Sequence, residues 1–281
     1  MKKHICRIVC LIGLVLVSYA EAKIISTNKI EDIEVELARA DNETLVIFDC
    51  NGVIWESAAR AFQADAKKVM KSIIRKHLKT MPLKKEEKIQ HIMLEKIPKQ
   101  LLHKKMPTLI LVLQSRGVKT LMLTGNRVGK VGNVSLEKCN IRHLSKMGID
   151  FGKSWNLERI VFSCFPNYYN GEVSYATFSD GILFCISWDK GSVLRAFLSK
   201  IPSYKFKKII FIDDKRRHLE SVRQVADEIG SEFVGIEYTL AKSKKRSPIN
   251  LTKIKEQCKF LIEKERWISS ISAPHERVFS K

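Results

Sequence analysis

Three acids, one lysine and one threonine fall at positions from which they can act together. Asp49 closes an apolar run over 44–48, and Thr124 closes a second over 118–123. Asp213 and Asp214 follow a third over 207–212, and Lys190 opens a helix-forming stretch over 190–200. The set supplies a carboxylate nucleophile, a hydroxyl to orient phosphate oxygens, an ammonium to neutralise them, and further carboxylates for a hard cation such as Mg2+. Phosphoryl transfer needs that inventory. A strand-end acid can equally do no more than cap the turn after it. The ordered set, and no single member, therefore carries the inference.

The surrounding sequence predicts the elements that would hold these residues. Short continuous apolar runs suit strands buried on both faces of a parallel sheet. Asn51-Gly52 is a turn signal after the first run. Residues 57–105 read as helical, with breaks at Pro82 and Pro98. Pro107 opens a further helix that Gly117 can close. Another helix is expected within 134–147, ending at Gly148. Runs such as 159–163 and 181–186 read as strands or hairpins. Beyond 207–212 come a helix over 215–228, a strand over 232–238 and a basic helix over about 250–266. Strands alternating with helices predict an α/β fold, a parallel sheet flanked on both faces. Ligands of such sheets bind beyond the carboxyl ends of the strands, where all five residues are expected.

Four segments resemble the ordered motifs of the haloacid-dehalogenase-like phosphatases. They are Leu45-Val46-Ile47-Phe48-Asp49-Cys50-Asn51-Gly52-Val53, Leu121-Met122-Leu123-Thr124-Gly125-Asn126, Trp188-Asp189-Lys190-Gly191 and Ile209-Ile210-Phe211-Ile212-Asp213-Asp214. The resemblance looks strongest to a branch of exported bacterial members, whose last motif also runs on as Asp-Asp-Lys with a following His-Leu. It implies a Rossmann-like domain over 23–281 with a small helical cap, here 54–107, inserted after the first strand. It also implies roles. Asp49 would attack phosphorus and form an aspartyl-phosphate. Mg2+ would sit on the Asp49 carboxylate, the backbone carbonyl of Asn51, and Asp213, with Asp214 acting through water. Thr124, the Gly125 amide and Lys190 would hold phosphate oxygens.

Asn51 departs from the family pattern, which has a second Asp there as general acid and base. An amide donates hydrogen bonds but has no useful proton to transfer. Losing such a group costs about 10²–10⁴-fold in rate. The family includes members that work without that Asp, among them ion-pumping ATPases and phosphonoacetaldehyde hydrolase. Two functions follow as expectations: a slow Mg2+-dependent phosphohydrolase or phosphotransferase, or a degenerate member that binds a phosphorylated or polyanionic ligand without efficient turnover. Spontaneous deamidation of Asn51 before Gly52 is a minor route that would regain an acid.

Residues 1–22 have the pattern of a signal peptide: Lys2, Lys3 and Arg7, an apolar run from Ile8 to Tyr19, then Ala20-Glu21-Ala22. A periplasmic or secreted protein without stable membrane insertion is expected after cleavage. Loss of Lys2, Lys3, Arg7 and Glu21 lowers the net charge from +20 to +18. That surface favours an anionic partner, such as a phosphorylated small molecule, and export argues against nucleic acid. Lys67, Lys68, Lys71, Arg75, Lys76 and His77 make the insertion basic, as a solvated face or as part of a substrate site. The remaining cysteines, 50, 139, 164, 185 and 258, show no metal spacing and leave room for one bridge. His218 reads as a surface residue of its helix, and the oligomeric state is not legible.

Overall fold

The structure is a computed structural model that describes residues 23–268, except 64, 79, 132, 170 and 171. The expected leader, residues 1–22, lies outside the described residues. Two elements precede the first expected strand: β1 (Lys23–Thr27) and α1 (Ile30–Ala38). The apolar run itself is β2 (Thr44–Phe48), buried at every residue.

The insertion is more varied than its helical composition predicts. β3 (Trp55–Ser57) leads through a 3-10 turn (Arg60–Phe62) to α2 (Lys67–Leu78) and α3 (Leu83–His91). A π turn (Ile92–Lys96) and β4 (Lys99–Leu101) complete it. β3 pairs antiparallel with β4, so a ribbon brings the two ends of the insertion together. Three-residue strands are too short to show a period, which hides them in the sequence.

α4 (Met106–Ser115), β5 (Lys119–Thr124), the tiny ribbon β6 (Lys130–Val131) and β7 (Val134–Ser135), and α5 (Leu136–Lys146) follow. Next come β8 (Ile160–Tyr169), β9 (Glu172–Ser179) and β10 (Ile182–Phe184). The chain continues with α6 (Lys190–Lys200), β11 (Lys208–Asp213), α7 (Arg216–Glu228) and β12 (Glu232–Tyr238). α8 (Leu240–Ser243) and α9 (Leu251–Lys264) end the described structure.

One eight-stranded sheet runs β1-β12-β11-β2-β5-β10-β9-β8. Every pairing from β1 to β10 is parallel, while β9 pairs antiparallel with both β10 and β8. The expected α/β architecture is therefore present: a mostly parallel sheet between helices, compatible with a Rossmann-like fold. The β8–β9 hairpin is longer than its apolar runs suggest. Pro166 and a register shift interrupt β8, which an edge strand tolerates.

Alternation along the strands feeds two cores. Val46, Phe48, Met122, Ile210 and Ile212 pack with α1 and α4 on one face. Leu45, Ile47, Leu121, Leu123, Ile209 and Phe211 pack with α6 and α7 on the other. A third core lies within the insertion, where Met70, Ile74, Ile89 and Ile92 meet Ile254, Cys258 and Leu261 of α9. The basic C-terminal helix thus belongs to the inserted layer. Among the described residues, no helix is long and apolar enough to cross a membrane. The five described cysteines are free, so the bridge left open above does not form, and all but Cys164 are buried.

Candidate active site

β11, β2 and β5 are neighbours at the centre of the sheet. Their register pairs Ile212 with Phe48, and Phe48 with Met122. Asp213 and Asp49 therefore leave the same end of the sheet side by side, and Thr124 closes β5 one residue further along. The Asp49 amide is held by the Ile212 carbonyl at 2.8 Å. Parallel pairing of three apolar strands fixes the separation of the three polar side chains.

Lys190 comes from the first turn of α6, after β10, but reaches the same point. Its Nζ bonds Asp49 Oδ1 and lies 2.6 Å from Asp213 Oδ2. All three side chains are buried, and the ammonium also sits 5.4 Å from the Phe211 ring centroid. The neighbours of Lys190 explain its placement. Asp189 caps α6 by accepting from the Ser192 amide at 2.9 Å. Ser221 of α7 donates to Asp189 at 2.6 Å and accepts from the Gly191 amide at 2.9 Å. A Cβ on Gly191 would stand 2.3 Å from the Ser221 carbonyl oxygen, so only glycine lets α6 and α7 approach this closely.

His218, expected at the surface, instead turns back to the site. Its Nδ1 lies 3.0 and 3.1 Å from the two Asp213 oxygens, and the Lys215 amide donates to Asp213 Oδ1 at 2.9 Å. α7 starts at Arg216, directly after the acids, so its first turn faces the strand end. Burial would raise the Asp213 carboxyl, but His218 and Lys190 outweigh it and hold the group down at about 2. Burial wins at Asp49, with Asp213 and Asp214 adding to it, and that carboxyl is raised despite Lys190. For Lys190 burial would lower the ammonium, but Asp49 and Asp213 hold it above its ordinary value. An unpaired buried charge costs several kcal/mol, so the acids and the lysine sustain one another.

The fit to a metal ion can be judged from the donors. One carboxylate oxygen from each of Asp49, Asp213 and Asp214 lies within 4.8 Å of the others. Among the described residues, none donates a hydrogen bond to the buried Asp214 Oδ1, and Lys215 Nζ stands 3.9 Å away. Burial raises the Asp214 carboxyl. A hard, all-oxygen set with an unsatisfied buried oxygen suits Mg2+. Gly52 permits the approach: its φ is +93°, and a Cβ there would stand 3.3 Å from Asp214 Cγ.

Asn51 and Gly125 lie where the turns leave β2 and β5, and Thr124 is fully buried beneath them. The Thr124 hydroxyl accepts from the Asn126 amide at 3.2 Å. Gly125 is held tight: a Cβ would meet the Ile186 carbonyl at 3.2 Å. Asn51 is engaged in a directed chain of amides. Trp55 Nε1 donates to Asn51 Oδ1 at 3.1 Å, and Asn51 Nδ2 donates to Asn126 Oδ1 at 3.0 Å. Asn126 Nδ2 donates to Asn140 Oδ1 at 2.7 Å, and Asn140 Nδ2 to the Leu136 carbonyl at 2.8 Å. An obligate donor stands at one end and an obligate acceptor at the other, so every amide orientation is fixed. The Gly52 amide is likewise committed, to the Trp55 carbonyl at 2.9 Å, which opposes its attack on the Asn51 side chain.

The insertion lies over this edge. A cavity of about 480 Å³ is enclosed by Trp55, Phe62, Lys71, Ile74, Arg75 and Met93 on its side, and by Asn51, Gly125, Asn126, Arg127, Asn140 and His143 below. Glu56 turns away from it. Its carboxylate takes Arg246 at 2.6 Å and Lys244 at 3.0 Å, and these anchor the loop after α8 across the insertion. Arg60 adds bonds to the Ser247 carbonyl at 3.0 and 2.9 Å.

The chain matches the family described as "Protein of unknown function (DUF2608)" over residues 26–272, nearly its whole length, and belongs to that family. No curated protein and no solved structure matches it.

Proposed function

We propose that this DUF2608 chain is an exported, Mg2+-dependent phosphohydrolase or phosphotransferase of the haloacid-dehalogenase-like kind, slow for want of an acid at position 51. The observation that carries the reading is the cluster at the central strand ends: Asp49 bound to Lys190, with Asp213 and Asp214 beside it. Its support in sequence is the order of the four motifs, and for export the pattern of residues 1–22.

In this reading Lys190 holds Asp49 Oδ1, which leaves Oδ2 to attack phosphorus in line with the ester oxygen. A bond forms from Asp49 to phosphorus, and the bond to the leaving oxygen breaks. That oxygen keeps the electron pair and takes a proton from solvent. Water then attacks phosphorus, the Asp49 carboxylate departs, and phosphate is released. Lys190 stabilises the charge that builds on the equatorial oxygens, and the Gly125 amide and Thr124 orient them. Asp49, Asp213, Asp214 and the Asn51 carbonyl would hold Mg2+, which supplies further charge neutralisation when bound. The insertion covers the site as a cap.

One observation favours the alternative, a ligand-binding member without efficient turnover: the Asn51 amide is committed to the amide chain through both Oδ1 and Nδ2. The two readings differ in rate. Slow release of p-nitrophenol from its phosphate ester, dependent on Mg2+ and lost in Asp49→Asn, is expected. Equal background rates for wild type and Asp49→Asn across several esters would leave only the binding reading.

A further inference from the structure

The cavity between the insertion and the strand ends has a chemical character of its own. Four cationic side chains, Lys71, Arg75, Lys99 and Arg127, line it together with apolar walls that include Trp55 and Ile74. Among the described residues, no carboxylate lines it. Its size, about 480 Å³, falls within the range of small-molecule sites. The lower wall contains Asn51, Gly125 and Asn126, the turns that leave the Asp49 and Thr124 strands, so the cavity opens beside the phosphoryl position. Arg127 reaches across to Gln90 of α3 at 3.4 Å and ties that wall to the insertion.

The arrangement of charge follows from α2. Met70 and Ile74 face the core shared with α9, and this fixes the rotation of the helix. Lys71 and Arg75, one position on and four residues apart, then lie together at the edge of that face, where they line the cavity. Both are exposed, so they form its mouth and not its floor. Trp55 is fixed below by its bond to Asn51 and by an edge-on contact with His143 at 5.9 Å.

We propose that this cavity takes the leaving group of the substrate, and that the leaving group is an apolar, ring-sized body carrying a second anion. The inference rests on the phosphohydrolase reading for the position of the first phosphate. The ring packs against Trp55, Ile74 and Met93, and the second anion reaches Lys71 and Arg75. A neutral leaving group fills the same space but leaves the cationic mouth without a ligand.

Isothermal titration of the chain in Mg2+ tests this with three probes: 4-carboxyphenyl phosphate, phenyl phosphate and phosphoglycolate. The first should bind about tenfold more tightly than the second, the scale of two ion pairs at an exposed rim. Phosphoglycolate, with two anions and no ring, should also bind more weakly than the first. Arg75→Glu and Lys71→Glu should each reduce the preference, and together abolish it. Both positions are exposed, so folding is not at issue. Equal affinity for the two aryl esters, a preference that survives both reversals, or no heat from any probe would overturn the proposal. Release of phosphate, followed in parallel, separates the two claims. Preference without turnover sinks the hydrolase reading alone, and turnover without preference sinks the leaving-group assignment alone.

Discussion

Asn51 has a structural reason to be an amide. The chain from Trp55 through Asn51, Asn126 and Asn140 to the Leu136 carbonyl runs in one direction. A carboxylate at 51 cannot donate to Asn126. Turning Asn126 and Asn140 to compensate would set the Asn140 oxygen against the Leu136 carbonyl. Asn51→Asp should therefore cost about 1 kcal/mol, read as a lower melting temperature. It should nevertheless raise turnover of a phosphate ester, since it restores a proton-transfer group worth about 10²-fold or more. A variant that is both more stable and no faster would contradict this account of the residue. The acids and lysine were legible because each ends or begins an apolar or helical run. The amide chain was not, because it joins residues from the turn after β2, the loop after β5 and α5, which only the fold brings together. The inward turn of His218 is hidden for a related reason: its exposure depends on where α7 begins.

At the scale of elements, the inserted layer is clamped at its base and along its top. β3 pairs with β4 below, and Glu56 binds Arg246 and Lys244 from the loop after α8. Burial would raise the Glu56 carboxyl, but Arg246, Lys244 and Gln100 outweigh it and hold the group below its ordinary value. The folded state then binds its proton less readily than the unfolded state. The clamp is fully present above the usual carboxylate range and is lost as pH falls through the lowered value. Glu56→Gln should cost about 3 kcal/mol at neutral pH, because it leaves Arg246 buried without its carboxylate. That difference should shrink as melting temperatures are compared at pH values falling ever further below the usual carboxylate range. A difference independent of pH would show that packing, and not charge, holds the loop. In the sequence this loop shows only its run of charge, Lys244, Lys245 and Arg246. Its partner lies nearly two hundred residues earlier in a strand too short to recognise.

At the scale of the molecule, the chain's end completes its middle. The parallel sheet was readable from its all-apolar strands, since strands covered on both faces need no polar alternation. The association of α9 with the insertion was not, because an amphipathic helix declares a buried face without naming what covers it. Leu261→Ala, inside the shared core, should cost about 2–5 kcal/mol. Limited proteolysis should then cut first within 60–98, while the sheet resists; cleavage confined to α9 would mean that the insertion stands alone. The proposed phosphoryl transfer centres on Asp49, which the fold buries against Lys190 at the end of the middle strand. The most direct test is mass spectrometry of protein quenched in acid after exposure to Mg2+ and acetyl phosphate. With no acid at 51 to speed hydrolysis, one phosphoryl group should accumulate on the peptide containing Asp49, and none on Asp49→Asn. No adduct at Asp49, or an adduct undiminished in Asp49→Asn, would contradict its role as phosphoryl acceptor.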